Sequence, residues 1–107
     1  MGGGVIARIW HGWAVGEDAD AYEALVRDEI LPGIHRIDGF VGFDLLRRDG
    51  AGGEVEFVTV TFFESLDAVR EFAGEDYEAA VVPPEARRLL RRFDDRSRHY
   101  QLVASTR

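Results

Sequence analysis

Residues 5–14, VIARIWHGWA, form a run rich in Val, Ile and Trp that GEDAD closes, which predicts a β-strand. From about Ala19 to Ile37 the apolar residues Tyr22, Leu25, Val26, Ile30, Ile34 and Ile37 recur at helical spacing. Asp18 or Asp20 can cap the start of that helix, Pro32 kinks or interrupts it, and Gly39 ends the segment. Strands are predicted over Phe40–Asp49 and Glu54–Phe63, on either side of GAGG, whose glycines permit the positive φ of a hairpin loop. Ser65 can cap a short helix with Leu66, Val69 and Phe72 on one face, and Gly74 stops it. After the irregular EDYEAAVVP, Pro84 suits the first turn of a helix carrying Ala86, Leu89, Leu90 and Phe93. The last predicted strand is Arg96–Ala104.

The order is β-α-β-β-α-β, an α+β, ferredoxin-like unit with an antiparallel sheet, and residues 1–107 make a single domain of it. Helices on one side leave the other sheet face needing a cover. Both faces read as apolar. In the second strand Val41, Phe43 and Leu45 point one way and Phe40 and Leu46 the other; in the third, Val58, Val60 and Phe62 oppose Val55, Phe57 and Phe63. The predicted helices cover one face only, so a second copy is the economical cover for the other, giving a homodimer with sheets face to face. Alternation also separates the two tryptophans. Unless Gly12 forms a bulge, Trp10 shares a face with Arg8, and Trp13 shares the opposite face with Ile9 and His11.

Composition narrows the function classes. Apolar residues at 46% with 31% charged describe a soluble globular chain, and no apolar run approaches the roughly 18 residues of a membrane helix. The start MGGGVIARIW has no signal-peptide pattern, so a cytoplasmic location is expected. The absence of cysteine excludes disulfides, thiolate metal sites and Cys nucleophiles together. A net charge of -7 argues against nucleic-acid binding, and the arginine-rich RRLLRRFDDRSR reads as a solvated helix face balanced by GEDYE. All 13 basic residues are Arg and there is no Asn, the codon bias of a GC-rich, bacterial genome.

No nucleotide, flavin or metal motif is present. GAGG is not followed by a helix, the three histidines are scattered without ligand spacing, and there is no Gly-x-Ser-x-Gly elbow. No cofactor and no metal are expected. What remains is a few polar groups among aromatics, the make-up of a pocket for a hydrophobic aromatic small molecule. His99 alternates with Ser97 and Gln101 on a polar stripe of the last strand, where it can take a proton from a phenol or enol; otherwise it is a hydrogen-bonded structural histidine. His35, near the end of the first helix, reads as a favourable dipole partner. Tyr77 can donate to a developing oxyanion or serve as a half-buried anchor. Arg8 can hold an acidic or phenolic oxygen or form an ion pair at a dimer interface. Trp10 and Trp13 can stack on a substrate or pack a layer, and Phe72 joins them and Arg8 as a candidate substrate-binding residue.

In detail the sequence resembles the antibiotic biosynthesis monooxygenase-like family of dimeric α/β barrels, over about residues 5–103. The resemblance is carried by ARIWHG, LPGI, LRRDG, EFVTVTFFESLDAVREFAGEDYEAAVVPPEA and RHYQLV, with SLDAVREFAGEDYE the most specific part. It implies a homodimer with a hydrophobic pocket between sheet and helices in each subunit. The family includes cofactor-free oxygenases of aromatic polyketides and haem-degrading monooxygenases. It also implies that the HY pair at His99 and the segment holding Tyr77 belong to the pocket. Two departures stand out: residues 65–95 hold no histidine to ligate haem iron, and the asparagine of the polyketide oxygenases has no counterpart here. The expectation is a cofactor-independent monooxygenase working through an enolate or phenolate. His99 would take the proton, Tyr77 would bind the oxyanion, and Trp10 or Trp13 would stack on the rings. The alternatives are a non-catalytic dimer that binds a hydrophobic metabolite, and a haem-degrading monooxygenase.

Overall fold

The structure is a computed structural model and describes residues 4–106. Its centre is β1 (Ile6–Val15), which pairs antiparallel with β3 (Glu54–Phe63) along its whole length, from Ile6 opposite Phe63 to Val15 opposite Glu54. Outside β3 lies β2 (Phe40–Asp49). Two short strands share the other edge of β1: β4 (Arg92–Phe93) against Gly12 and Trp13, and β5 (Arg98–Gln101) against Ile6 to Ile9. The helices α1 (Glu17–Leu25), α2 (Leu31–Ile34), α3 (Leu66–Ala73) and α4 (Pro84–Leu89) complete an α+β, ferredoxin-like fold.

The unbroken pairing of β1 with β3 means that Gly12 makes no bulge, so the tryptophans do face opposite ways. Arg8, Trp10, Gly12 and Ala14 are buried on one face, while Ile9, His11 and Trp13 are half-exposed on the other. Phe57 and Phe63, completely buried on the first face, contribute about 1.5–3 kcal/mol each by leaving water. Trp10, Tyr22, Val26, Phe57 and Leu90 form the larger core cluster; Phe63, Ala68 and Val69 form the smaller, with Phe72 and Tyr77 packed against it. Gly12 is needed here for space. A Cβ at this position would lie 2.8 Å from Cη2 of Trp10, whose indole lies over the strand and donates from Nε1 to the Asp94 carbonyl at 2.8 Å.

Several elements differ from the pattern reading. The first helix starts at Glu17, with Gly16 (φ 58) turning the chain out of the strand, so Asp18 and Asp20 sit in the first turn and do not cap it. Their carboxylates are still favoured there by the helix dipole. The helix then widens into a π-helical segment, Val26–Ile30, just before Pro32, which has no N–H to donate. Helical structure ends at Ile34, so Ile37 lies in the following turns. In β2 the pairing shifts between Phe40 and Gly42, an extra residue that brings Phe40 to the side of Phe43 and Leu45 and leaves Leu46 opposite, 52% exposed. The helix from Pro84 stops at Leu89, because Leu90 is extended and the Arg91 N–H is drawn to the Trp13 carbonyl at 2.7 Å, so Phe93 joins the sheet. The last strand is shorter than predicted, and Arg96 makes only an isolated bridge to Ala79. The Ser65 cap and the Gly74 stop of α3 are present as expected, with Ser65 Oγ accepting from the Ala68 N–H at 3.1 Å.

Candidate functional site

Register places one polar row across the helix-facing side of the sheet. Arg8 lies directly between Thr61 of β3 and His99 of β5, and Phe43 of β2 lies beyond Thr61. Arg8 is 4% exposed, and Thr61 and Ser97 are buried as well. The guanidinium reaches the loop after α3: Nη1 donates to the Tyr77 carbonyl, and Nη2 to the Ala79 carbonyl at 3.0 Å. Nη1 also donates to Nε2 of His99 at 2.9 Å, and the Phe72 ring lies 5.4 Å from the guanidinium carbon. Among the described residues no carboxylate is a partner of Arg8. Burial pushes its pKa down to about 10, which leaves it charged at neutral pH. A buried cation without a counter-charge is an expensive arrangement.

His99 is constrained by that contact. A guanidinium only donates, so Nε2 must present its lone pair and the proton of the neutral ring sits on Nδ1. Nδ1 is itself buried and has no hydrogen-bond partner among the described residues. Burial, and then the Arg8 charge, hold the His99 pKa below its ordinary value, with Glu78 acting weakly the other way. The Tyr77 ring meets the His99 ring edge-on at 5.1 Å and carries the Arg70 guanidinium at 5.4 Å on its face.

Arg8, Trp10, Tyr22, Phe43, Thr61 and Phe72 are among the residues lining a narrow cavity of about 60 Å³ between sheet and helices. An outer groove of about 390 Å³ shares Ile30, Ile34, Phe72, Val81 and Pro83 with it. Together they reach the volume of a small-ligand site (about 300–1,000 Å³). Its walls are apolar apart from Arg8 and the hydroxyls of Tyr22, Thr59, Thr61 and Ser97 on the inside, and Glu29 and Glu85 in the outer part. Burial pushes the Tyr22 phenol up to about 12. Among the described residues no cluster of three or more His, Asp or Glu could hold a metal ion, and no helix is long and apolar enough to cross a membrane.

Of the candidates read from the sequence, the structure brings Arg8, Trp10 and Phe72 to the cavity wall and sets His99 and Tyr77 against Arg8 at its edge. Trp13 lies on the other face, stacked on His11 at 6.1 Å, away from this cavity. His35 lies just past α2, edge-on to Phe40 at 5.5 Å. Thr59, Thr61, Tyr22 and Phe43 were missed as lining residues. For the threonines, alternation with Phe57 and Phe63 along β3 carried the signal.

The chain matches the antibiotic biosynthesis monooxygenase family over residues 5–83. Among curated proteins none matches the sequence significantly. Among solved structures, it superposes on Rv0793 from Mycobacterium tuberculosis with TM-score 0.63 at 21% identity, covering 96% of this chain and 99% of that one. SnoaB from Streptomyces nogalater, a cofactor-independent oxygenase, aligns at TM-score 0.56 and 20% identity over 97% of this chain and 96% of its own. The monooxygenase from the gene ActVA-Orf6 of Streptomyces coelicolor, solved in complex with the ligand Nanaomycin D, aligns at 0.58 and 15% over 97% and 91%. These likenesses establish a shared fold, and the family match covers most of the chain with Arg8, Trp10, Phe72 and Tyr77 inside it. The chain therefore belongs to the antibiotic biosynthesis monooxygenase family.

Proposed function

We propose that the chain is a cofactor-independent monooxygenase, active as a homodimer, that oxidises an aromatic or polyketide-type small molecule through its enolate or phenolate. The observation that carries this reading is the Arg8 cation at the inner end of an apolar cavity, with no carboxylate among the described residues to neutralise it. Dioxygen reacts slowly with closed-shell molecules, but an enolate or phenolate can pass it one electron. Stabilising that anion in a dry pocket is then the main work of the protein. In the net reaction a ring CH₂ and O₂ give a ring C=O and H₂O, so the substrate supplies every electron and no separate reductant is needed.

In this reading Arg8 holds the oxyanion, and the Tyr77 and Ala79 carbonyls aim its guanidinium. Phe72, which lines both the cavity and the groove, forms a wall against the rings, and Trp10 closes the inner cavity around the head. The His99 lone pair, engaged by Arg8, keeps the guanidinium in place. Taking a substrate proton there would put a second cation beside the first. Against the haem-degrading alternative, no histidine lines the cavity or the groove. The inner cavity, about 60 Å³, favours as second reading a protein that binds a hydrophobic metabolite without chemistry.

Oxygen uptake with anthrone-type substrates, in metal-chelated and flavin-free buffer, tests the reading. The wild type should consume oxygen, and Arg8→Met should lower turnover by about 10²–10³-fold, the usual effect of removing one oxyanion donor. Binding without oxygen consumption across a panel of such substrates would leave the metabolite-binding reading in its place.

A further inference from the structure

An arginine has five N–H donors. Among the described residues, the Tyr77 carbonyl and His99 claim both on Nη1 and the Ala79 carbonyl claims one on Nη2, leaving Nε–H and a second Nη2–H of Arg8 without partners. Nε and Nη2 share one edge of the guanidinium plane, the edge that pairs with oxyanions. The cavity at Arg8 is too small for a ring system but large enough for a polar head, and the larger apolar groove beside it suits a hydrophobic body. Glu29 and Glu85, which line the groove and not the inner cavity, repel an anion lodged outside and favour head-inward docking.

We infer that the inner cavity is a receptor for an organic oxyanion: an acidic small molecule docks there already ionised, its oxygen or carboxylate on Arg8 and its apolar body in the groove. This deepens the proposed function, resting on its choice of cavity, and it removes the need for a protein base. The proton leaves to solvent before docking, in keeping with a site whose one nearby imidazole has its lone pair engaged by Arg8. The titratable groups around Arg8 are His99 from β5, Tyr77 after α3 and Tyr22 from α1, with Glu78 close enough to act on His99. None supplies the missing negative charge.

The ionised head has two sources, a phenolate or a carboxylate, and matched probes separate them without any turnover. One pair is 4-nitrophenol and its neutral ether 4-nitroanisole; the other is 2-naphthoate and its methyl ester. Binding is measured by equilibrium dialysis. The nitrophenolate band, distinct from that of nitrophenol, reports the bound ionisation state. In at least one pair the anion should bind about 10²-fold tighter than its neutral partner, as expected for charge-assisted hydrogen bonds. Bound nitrophenol should titrate at lower pH than free nitrophenol. The pair that discriminates identifies the head group.

Arg8→Met should abolish the preference, and Arg8→Lys, which keeps the charge but not the fork, should retain part of it, with circular dichroism confirming that both fold. Neutral partners binding as tightly as anions, no binding of any probe below millimolar concentration, or a preference that survives in a folded Arg8→Met would overturn the inference. Anion-selective binding in a protein that consumes no oxygen would sink the oxygenase reading and leave this one standing.

Discussion

The two faces of the sheet carry the same kinds of residue, one Trp and one His from each, and give the two histidines partners of opposite charge. On the open face the His11 imidazole meets the Glu56 carboxylate at 2.8 Å. There Arg92 lies 3.9 Å over the Trp13 ring and reaches Glu54 at 3.1 Å. Those two basic side chains have carboxylate partners within the chain. On the helix-facing side His99 meets a cation, and Arg8 meets carbonyls and an imidazole but, among the described residues, no carboxylate. Burial makes the imbalance expensive on the helix side, where Arg8 is nearly sealed, and exposure would make it cheap on the other. The proposed ligand site rests on a charge left open where it is most costly, and the proposed dimer face on apolar residues beside a charge that is closed.

The largest expected difference between the faces is in stability. Trp10 is 7% exposed, fills the larger cluster and satisfies its N–H on Asp94, so Trp10→Ala should lose about 3–5 kcal/mol. Trp13, half-exposed, should lose within about 1 kcal/mol as Trp13→Ala in dilute protein, with a deficit that grows with concentration if a second copy packs on it. Urea unfolding monitored by far-ultraviolet circular dichroism measures both. Equal losses would break the contrast.

The next effect is on assembly. Ile9, Trp13, Val58 and Val60 leave the open face half-exposed and apolar, and the proposed homodimer buries it. Light scattering after gel filtration should give about twice the chain's 12.0 kDa. Val60→Asp, a charge in the middle of that face, should return the monomer mass while the helix-face cavity keeps its ligand affinity. A monomeric wild type would show that this face needs no cover.

The sequence made the sheet legible because its strands alternate over ten residues: the separation of Trp10 from Trp13, and of Val58 from Phe57, follows from a period of two. Deviations arise where one residue breaks the period. The extra residue in β2 near Val41 reversed the side assigned to Phe40, and Pro32 was absorbed by a π-helical turn that periodicity does not encode. At the site, the polar stripe of the last strand pointed to Ser97 and His99, and Arg8 was visible beside Trp10. The lone pair of His99 facing Arg8 was not legible, since it depends on pairing residues separated by 91 positions. The Tyr77 segment likewise contributes its backbone carbonyl to Arg8, a role that no side-chain pattern announces.

A smaller effect tests the open charge itself. Arg8→Met removes a buried cation, which favours folding, and leaves the Tyr77 and Ala79 carbonyls without their donor, which opposes it. The two nearly offset, so unfolding free energy should change by within about 1 kcal/mol even as ligand binding is lost. A loss as large as that of Trp10→Ala would mean that Arg8 is principally a structural tie between β1 and the loop after α3, and the helix-side imbalance would lose its functional meaning.

The smallest effect is a slope with pH. Burial and the Arg8 charge lower the His99 pKa in the fold, so the unfolded chain takes up this proton more readily than the native one. Stability from His99 is therefore fully present above the unfolded value of about 6.5 and is lost as pH falls below it, until the folded group also titrates. Carboxylates titrate nearby in pH, so the informative quantity is the difference between wild type and His99→Gln. The glutamine amide oxygen can still accept from Arg8, but the side chain carries no titrating proton. Thermal midpoints measured between pH 7.5 and 5.5 should fall more steeply in the wild type than in the variant. The opposite sign, a wild type gaining on the variant as pH falls, is the behaviour of a histidine with a carboxylate partner. It would give His99 the kind of neighbour that His11 has in Glu56 and erase the contrast between the two faces.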